Sequence, residues 1–338
     1  MKYSNRLAQL LLQNITFLLF IVVFVIFGLL SPRFFTLQTF DNILKQASFI
    51  GIVAVGMTFV ILTAGIDLSV GSNMYLASSV AALLMQDFGL GVFPALLACL
   101  AVGALFGIIN ALLITRVRII PFMATLGTMV AGKGLGLLLT RSVTIPVPDA
   151  MLNLGQSRLF GFLALPTAMF ILAAIIGHFI LTMTPLGRRI YAVGNDEESA
   201  KKAGINVQSV IGTVYVISGI TAALGGFVAV AQQGVVIPGL GEGYEFNAIA
   251  AVVLGGTSLF GGVGTVLPGT VMGAVLIQMI QSGLVYTRVD IYIQPLIMAA
   301  IIFLAVLLDA FRNVQLQKLR RRNIRMEKDA LPNAAGGD

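Results

Sequence analysis

Ten long apolar runs constrain what this 338-residue chain can become. They lie near 15–30, 46–64, 70–86, 92–115, 119–140, 164–183, 210–231, 246–260, 263–285 and 291–308. About 20 apolar residues in helical form cross the hydrocarbon core of a bilayer. Lipid cannot satisfy backbone N–H and C=O groups, so each run must close its own hydrogen bonds as a helix. Hydrophobic residues make up 58% of the chain and charged ones 10%, against roughly a quarter charged in soluble domains. A soluble enzyme, a disordered chain and a disulfide scaffold are excluded. A β-barrel is disfavoured because its strands alternate apolar and polar residues. The expected fold is an all-α polytopic membrane protein of about ten transmembrane helices with glycine-broken segments. Cys99 is the one cysteine, and one histidine and no tryptophan accompany it, so neither an internal disulfide nor a metal cluster is expected. The first run follows Lys2 and Arg6 and is succeeded by Ser31-Pro32-Arg33 rather than a small-residue cleavage site, which reads as an uncleaved anchor.

The net charge is +7, and its placement matters more than its sum. With the N-terminus inside, the inner segments carry 15 basic residues: Lys2, Arg6, Arg116, Arg118, Arg188, Arg189, Lys201, Lys202 and seven from Arg312 to Lys328. The outer segments carry 5: Arg33, Lys45, Arg141, Arg158 and Arg288. This asymmetry predicts both termini in the cytoplasm. Residues 1–311 then form the membrane domain, with 184–209 its longest inner loop and 141–163 a long outer loop. The tail 312–338 is basic and cytoplasmic, with a disordered end. The basic charge is topological and placed to meet lipid, which removes nucleic acid as a partner.

Two glycine-rich stretches interrupt the runs: Gly65-Ile66-Asp67-Leu68-Ser69-Val70-Gly71-Ser72 and Gly255-Gly256-Thr257-Ser258-Leu259-Phe260-Gly261-Gly262-Val263-Gly264. Irregular backbone at membrane depth is tolerated where protein buries it or where it lines a cavity, and broken segments of this kind mark transport routes. Gly65, Asp67, Ser69, Gly71, Ser72, Asn247, Gly255, Gly256, Thr257 and Ser258 are therefore pathway candidates; ordinary tight turns at the membrane face are the plainer alternative. For Asp67 three roles compete: capping the next helix through neighbouring amides, pairing with a cation such as Lys133, or binding a substrate hydroxyl. The structural role is favoured. The stretch from Gly127 to Gly134 nearly fits a phosphate-binding loop, but Gly134 replaces the required hydroxyl. Lys133 is expected to snorkel or to pair with an acid. Gly103/Gly107, Gly132/Gly136 and Gly269/Gly273 permit close helix packing. His178 is expected to be buried and satisfied.

The inner loop has its own pattern. Asn195 is placed to cap a helix, Asp196, Glu197 and Glu198 fill the first turn, and Lys201 and Lys202 the last. Glu197/Lys201 and Glu198/Lys202 are i,i+4 pairs in the better orientation. Gly204 ends the helix. So short a helix is marginal in water unless it docks on something.

The residues resemble those of the permease subunits of ribose-type ABC sugar importers. The resemblance runs from about Ser31 to Asp309. It rests on Ser31-Pro32-Arg33-Phe34-Phe35-Thr36 with Asn42-Ile43-Leu44, on Ala54-Val55-Gly56-Met57-Thr58 running into 65–72, on Leu186-Gly187-Arg188 to Gly194-Asn195 with Ala200 and Gly204-Ile205-Asn206-Val207, and on Gly243-Tyr244-Glu245 with 248–258. It implies a multi-pass protein of the bacterial inner membrane that pairs with a second permease, identical or not. It also implies a cytoplasmic ABC ATPase that binds ATP and magnesium, and a soluble sugar-binding protein outside. This chain then needs no cofactor and is not itself an enzyme. Residues Gly194 to Gly204 (Gly194, Asn195, Asp196, Glu197, Glu198, Ser199, Ala200, Lys201, Lys202, Ala203 and Gly204) match the coupling helix that enters the ATPase. The outer segment 232–245, with Glu242, Tyr244 and Glu245, is a candidate contact for the binding protein or the pathway entrance. Asn247 and Val263 stand where the family often carries an acid and a base, a joint loss consistent with a missing pair. An ion-coupled secondary transporter centred on Asp67 is the alternative function; no nucleophile–base set supports an enzyme.

Overall fold

The computed structural model describes residues 15–304 and Leu307. Lys2, Arg6 and the basic tail 312–338 lie outside the described residues. The chain runs through helices α1 (Ile15–Leu30), α2 (Leu37–Leu62), α3 (Val70–Phe88), α4 (Val92–Thr115), α5 (Pro121–Thr140), α6 (Asp149–Gln156), α7 (Leu165–Met183), α8 (Pro185–Asn195), α9 (Glu197–Lys202), α10 (Val207–Gln233), α11 (Tyr244–Leu254), α12 (Val271–Tyr286) and α13 (Gln294–Leu304). Four two-residue strands join them: β1 (Ile145–Pro146), β2 (Arg158–Leu159), β3 (Leu163–Ala164) and β4 (Val235–Val236).

Among the described residues, six helices are long and apolar enough to cross a membrane: α2, α4, α5, α7, α10 and the stretch Val266–Tyr286 that ends in α12. The described residues do not confirm the expected count of ten. The run 70–86 is helical but carries buried Ser72, Asn73, Ser78 and Ser79, so it is a central packing helix with too little hydropathy to be recognised as a span. The run 246–260 is helical only to Leu254, about 16 Å at the helical rise. α1 and α13 are short apolar helices.

α2 and α10 form the centre and are largely buried, whereas α4, α5 and α7 keep apolar faces exposed through Leu105, Ile109, Val130, Leu138, Ile176 and Phe179. That arrangement suits a bundle whose outer helices meet lipid. α4 and α10 run antiparallel at very close range. A Cβ on Gly103 would stand 2.5 Å from the Gly219 carbonyl oxygen, and one on Gly107 the same distance from that of Tyr215. Gly132 and Gly136 admit the rings of Phe106 and Tyr75, and Gly273 admits the Ala251 carbonyl. All three small-residue pairs are thus packing surfaces. His178 departs from expectation and is only half-buried, on the outward helix α7.

One end of the bundle carries a cap. β1 pairs antiparallel with β4, Ile145 opposite Val236, α6 lays Gly155 against the Ala231 backbone, and Arg158 at the start of the β2–β3 hairpin bonds Asp41 at 2.5 Å. The opposite end carries α8 and α9.

Candidate functional site

After α2 ends, the chain turns back into the protein instead of crossing to solvent. Asp67 lies there with 1% of its surface exposed. Its Oδ1 accepts the Ser69 N–H at 3.0 Å and the Ser69 hydroxyl at 2.5 Å, and its Oδ2 accepts the Ser218 hydroxyl from α10 at 2.8 Å. Asn110 of α4 donates to Ser69 Oγ at 2.8 Å, and Thr128 of α5 donates to Asn110 Oδ1 at 2.7 Å. Thr125 and Tyr215 both donate to the Ile66 carbonyl. The carboxylate thus clamps the broken segment to α4, α5 and α10. Of its three expected roles, the pairing with Lys133 is not formed, since Lys133 bonds Glu242 at 2.8 Å; the carboxylate holds the Ser69 amide in a local turn, and Ser69 is the residue that stands at the cap position of α3, with no side-chain cap bond.

Beyond this clamp lies a cavity of about 630 Å³ between α3, α5 and the segment that leads into α11. Leu68, Ser72 and Tyr75 line one side, Phe122, Leu126, Met129 and Lys133 a second, and Glu242, Glu245 and Phe246 the third. Three left-handed glycines, Gly239, Gly241 and Gly243, fold the 237–243 segment into successive tight turns over it. That segment rests on the start of α3, where a Cβ on Gly71 would come within 2.3 Å of the Gly241 carbonyl oxygen and 2.5 Å of Glu245 Oε2. Glu245 is 5% exposed and accepts the Gly243 N–H at 3.2 Å. The cavity therefore joins Ser72, a pathway candidate, to Glu242 and Glu245, placed by sequence in a different group. Gly71 lies beneath it. Asp67 and Ser69 stand behind its wall. Tyr244 faces away, its ring 5.2 Å from that of Phe49. Tyr75, Phe122, Met129 and Phe246 escaped the sequence reading; the signal available was the spacing 122, 126, 129 and 133, one face of a helix.

Gly65 and Gly255 to Ser258 belong to the other end. The 255–264 turns hold Gly256, Gly261 and Gly262 in left-handed conformations, and the Gly262 N–H donates to the Leu62 carbonyl at 2.9 Å. The end of α8 is seated on this junction. A Cβ on Gly194 would stand 1.7 Å from the Leu62 carbonyl oxygen and 2.7 Å from Gly262 N, and Tyr191 donates to the Gly264 carbonyl at 2.8 Å. The end of α2, just before the first broken segment, and the 255–264 turns thus meet under α8. Asn247 lies in the first half of α11, and Val263 follows that helix in the 255–264 turns, where its carbonyl accepts the Ser258 N–H at 2.8 Å.

The inner loop is more helical than expected. Residues 185–195 form α8, capped by Thr184, whose hydroxyl accepts the Gly187 N–H at 3.3 Å. Asn195 ends α8, and Asp196, not Asn195, caps α9 by accepting the Ser199 N–H at 2.7 Å. That hydrogen bond holds the Asp196 carboxyl below the usual carboxylate range. Glu198 and Lys202 pair at 3.8 Å, while Glu197 and Lys201 line a surface cavity with Arg118. Gly204 follows in the left-handed conformation, as expected. Ala200, 4% exposed, anchors α9, and Asn195 to Ser199 and Lys201 to Gly204 are exposed around it.

Comparison with known proteins places this arrangement. Residues 39–308 match the family model described as branched-chain amino acid transport system / permease component. The ribose import permease of Escherichia coli (strain K12) is 38% identical over 307 residues, 88% of this chain and 94% of that permease. The chain belongs to the ribose-type ABC import permeases. The ribose import permease of Bacillus subtilis (strain 168) is 39% identical over 298 residues, 86% of this chain and 90% of its own length. The D-allose transport system permease of Escherichia coli (strain K12) is 36% identical over 299 residues, 87% and 90% of the two chains. No solved structure matches the chain. As a permease of this family, the chain is a multi-pass inner-membrane transport subunit.

Proposed function

We propose that this permease forms the translocation pathway of an ATP-driven importer for a sugar or sugar-like solute delivered by a soluble binding protein. The chain pairs with a second permease, identical or related, and both termini face the cytoplasm. A cytoplasmic ATPase, which binds ATP and magnesium, docks on α8 and α9, and no cofactor is required of this chain. The cap end, with Glu242 and Glu245 nearby, receives the binding protein.

The observation that carries this reading is the seating of α8 on Leu62 and Gly262. A force applied to the exposed helix α9 would reach the end of α2 and the 255–264 turns through the close backbone approach at Gly194. Gating then follows from differential binding of the ATPase to two bundle arrangements, with no chemistry by this chain. The enclosed Asp67 carboxylate, held by three donors, favours this over ion coupling.

The test is sugar uptake by the complete transporter carrying Ala200→Pro. Proline removes the Ala200 N–H, which bonds the Asp196 carbonyl at 3.0 Å, and breaks the helix. A proline at Glu197 is less informative, because Glu197 is the first residue of α9, where proline is tolerated. Loss of uptake and of ATPase co-purification, at normal permease level in the membrane, is the expected result. Full uptake with a broken α9 would sink the coupling role.

A further inference from the structure

We infer that Lys133 and Glu242 form a gate that opens when a neutral polyhydroxylated ring enters the cavity and exchanges its hydroxyls for their ion pair. The inference deepens the proposed function and rests on it.

The position of Lys133 is the first ground. It is the thirteenth of the 20 residues of α5, about 10 Å from the cap end by helical rise, on the helix face that lines the cavity. Phe122 and Leu126, two to three turns further along the same face, line the cavity towards the α8–α9 end. The ion pair therefore marks the cap end of a largely apolar cavity whose other polar lining is Ser72, Tyr75 and Glu245. It crosses from α5 to the turn that carries Glu242.

The strength of the pair is the second ground. The two side chains are 43% and 66% exposed, and ion pairs this open contribute little net stability. Such a contact can be exchanged. The two sides differ in freedom: the Glu242 turn is pinned through the Gly71–Gly241 approach, whereas Lys133 carries its ammonium on a flexible four-carbon stem. Lys133 is the moving half.

The third ground is chemical fit. The ammonium supplies donors and the carboxylate acceptors, matching hydroxyls that do both. Phe122 and Phe246 offer apolar faces for the C–H faces of a sugar ring. A neutral ring leaves the two charges balanced; a charged one does not.

The experiment uses the complete transporter in membrane vesicles, with Lys133→Cys and Glu242→Cys combined in the permease. Cys99 is the one native cysteine and is buried. A short bifunctional methanethiosulfonate that bridges the two new thiols should lower ATP-dependent sugar uptake at least about tenfold, a factor worth ~1.4 kcal/mol, with recovery on reduction. For each single cysteine variant, treated alike, the reagent should leave uptake at that variant's own untreated level, whatever that level is. Undiminished uptake with the bridge in place would overturn the gate and leave a static staple. If the cysteine pair is inactive before bridging, the charge exchange K133E/E242K decides: recovery relative to K133E alone supports the gate, and no recovery overturns it. A wild-type complex that carries no sugar at all would instead reject the transport function on which the gate rests.

Discussion

Replacing Gly194 by alanine should uncouple the transporter although it adds a better helix former. In an open helix the exchange stabilises by about 0.5–1 kcal/mol. Here the new methyl would stand 1.7 Å from the Leu62 carbonyl oxygen and 2.7 Å from Gly262 N. Opening the first approach to a tight 3.0 Å contact needs a shift of about 1.3 Å. Both obstacles are backbone, and they are bonded to each other through Gly262 N–H and Leu62 C=O. Overpacking of this kind costs ~1–3 kcal/mol, and parting the hydrogen bond costs about 1 kcal/mol more. The clash therefore outweighs the propensity gain by about 1–3 kcal/mol. Two measurements check this. The thermal midpoint of the detergent-solubilised permease should fall by roughly 2–4 °C per kcal/mol lost, and ATP-driven uptake should fall further than the surviving folded fraction accounts for. Gly212→Ala is the control, since the nearest atom to its added Cβ is the Ala111 Cβ at 3.7 Å. If Gly194→Ala matched wild type in both measurements, or Gly212→Ala did equal harm, the seating of α8 would not transmit force.

Three further outcomes follow from the same geometry. Asp67→Ala orphans the Ser69 N–H and the Ser69 and Ser218 hydroxyls, and unsatisfied buried donors cost ~1–3 kcal/mol each; a lower unfolding midpoint is expected, partly restored in Asp67→Asn, while dependence of uptake on sodium or protons stays absent. Gly71→Ala drives a methyl into the Gly241 carbonyl and the Glu245 carboxyl and should reduce uptake, whereas Gly127→Ala, with open space around its Cβ, should not. The Asp196 cap titrates with a definite sign. Its carboxyl is depressed when folded, so its stabilisation of α9 is full above the ordinary carboxylate pKa of about 4 and is lost as pH falls through the depressed value. Hydrogen exchange at the Ser199 amide, corrected for the intrinsic pH effect, should show constant protection at neutral pH and loss only in acid; protection that disappears near pH 6 would contradict the cap.

The sequence by itself determined what depends on neighbours along the chain. Run length and the scarcity of charge decide a helical membrane protein, because lipid leaves a backbone no other way to satisfy itself. Gly204 and the charge order of 196–202 announce a short capped helix, though the cap shifted by one residue because Asn195 was absorbed into α8. Helix-packing glycines were legible by spacing. Tertiary structure alone decided which distant groups meet. Lys133 and Glu242 are 109 residues apart, and Asp67 and Ser218 are 151 apart; no local period encodes either pairing. It also decided that the 255–264 turns and the end of α2 seat α8 at one end while the first broken segment reaches the cavity through Leu68 and Ser72, since both follow from how α2, α3, α5 and α11 stack. Local periodicity sets which face a side chain shares, and only packing sets what that face meets.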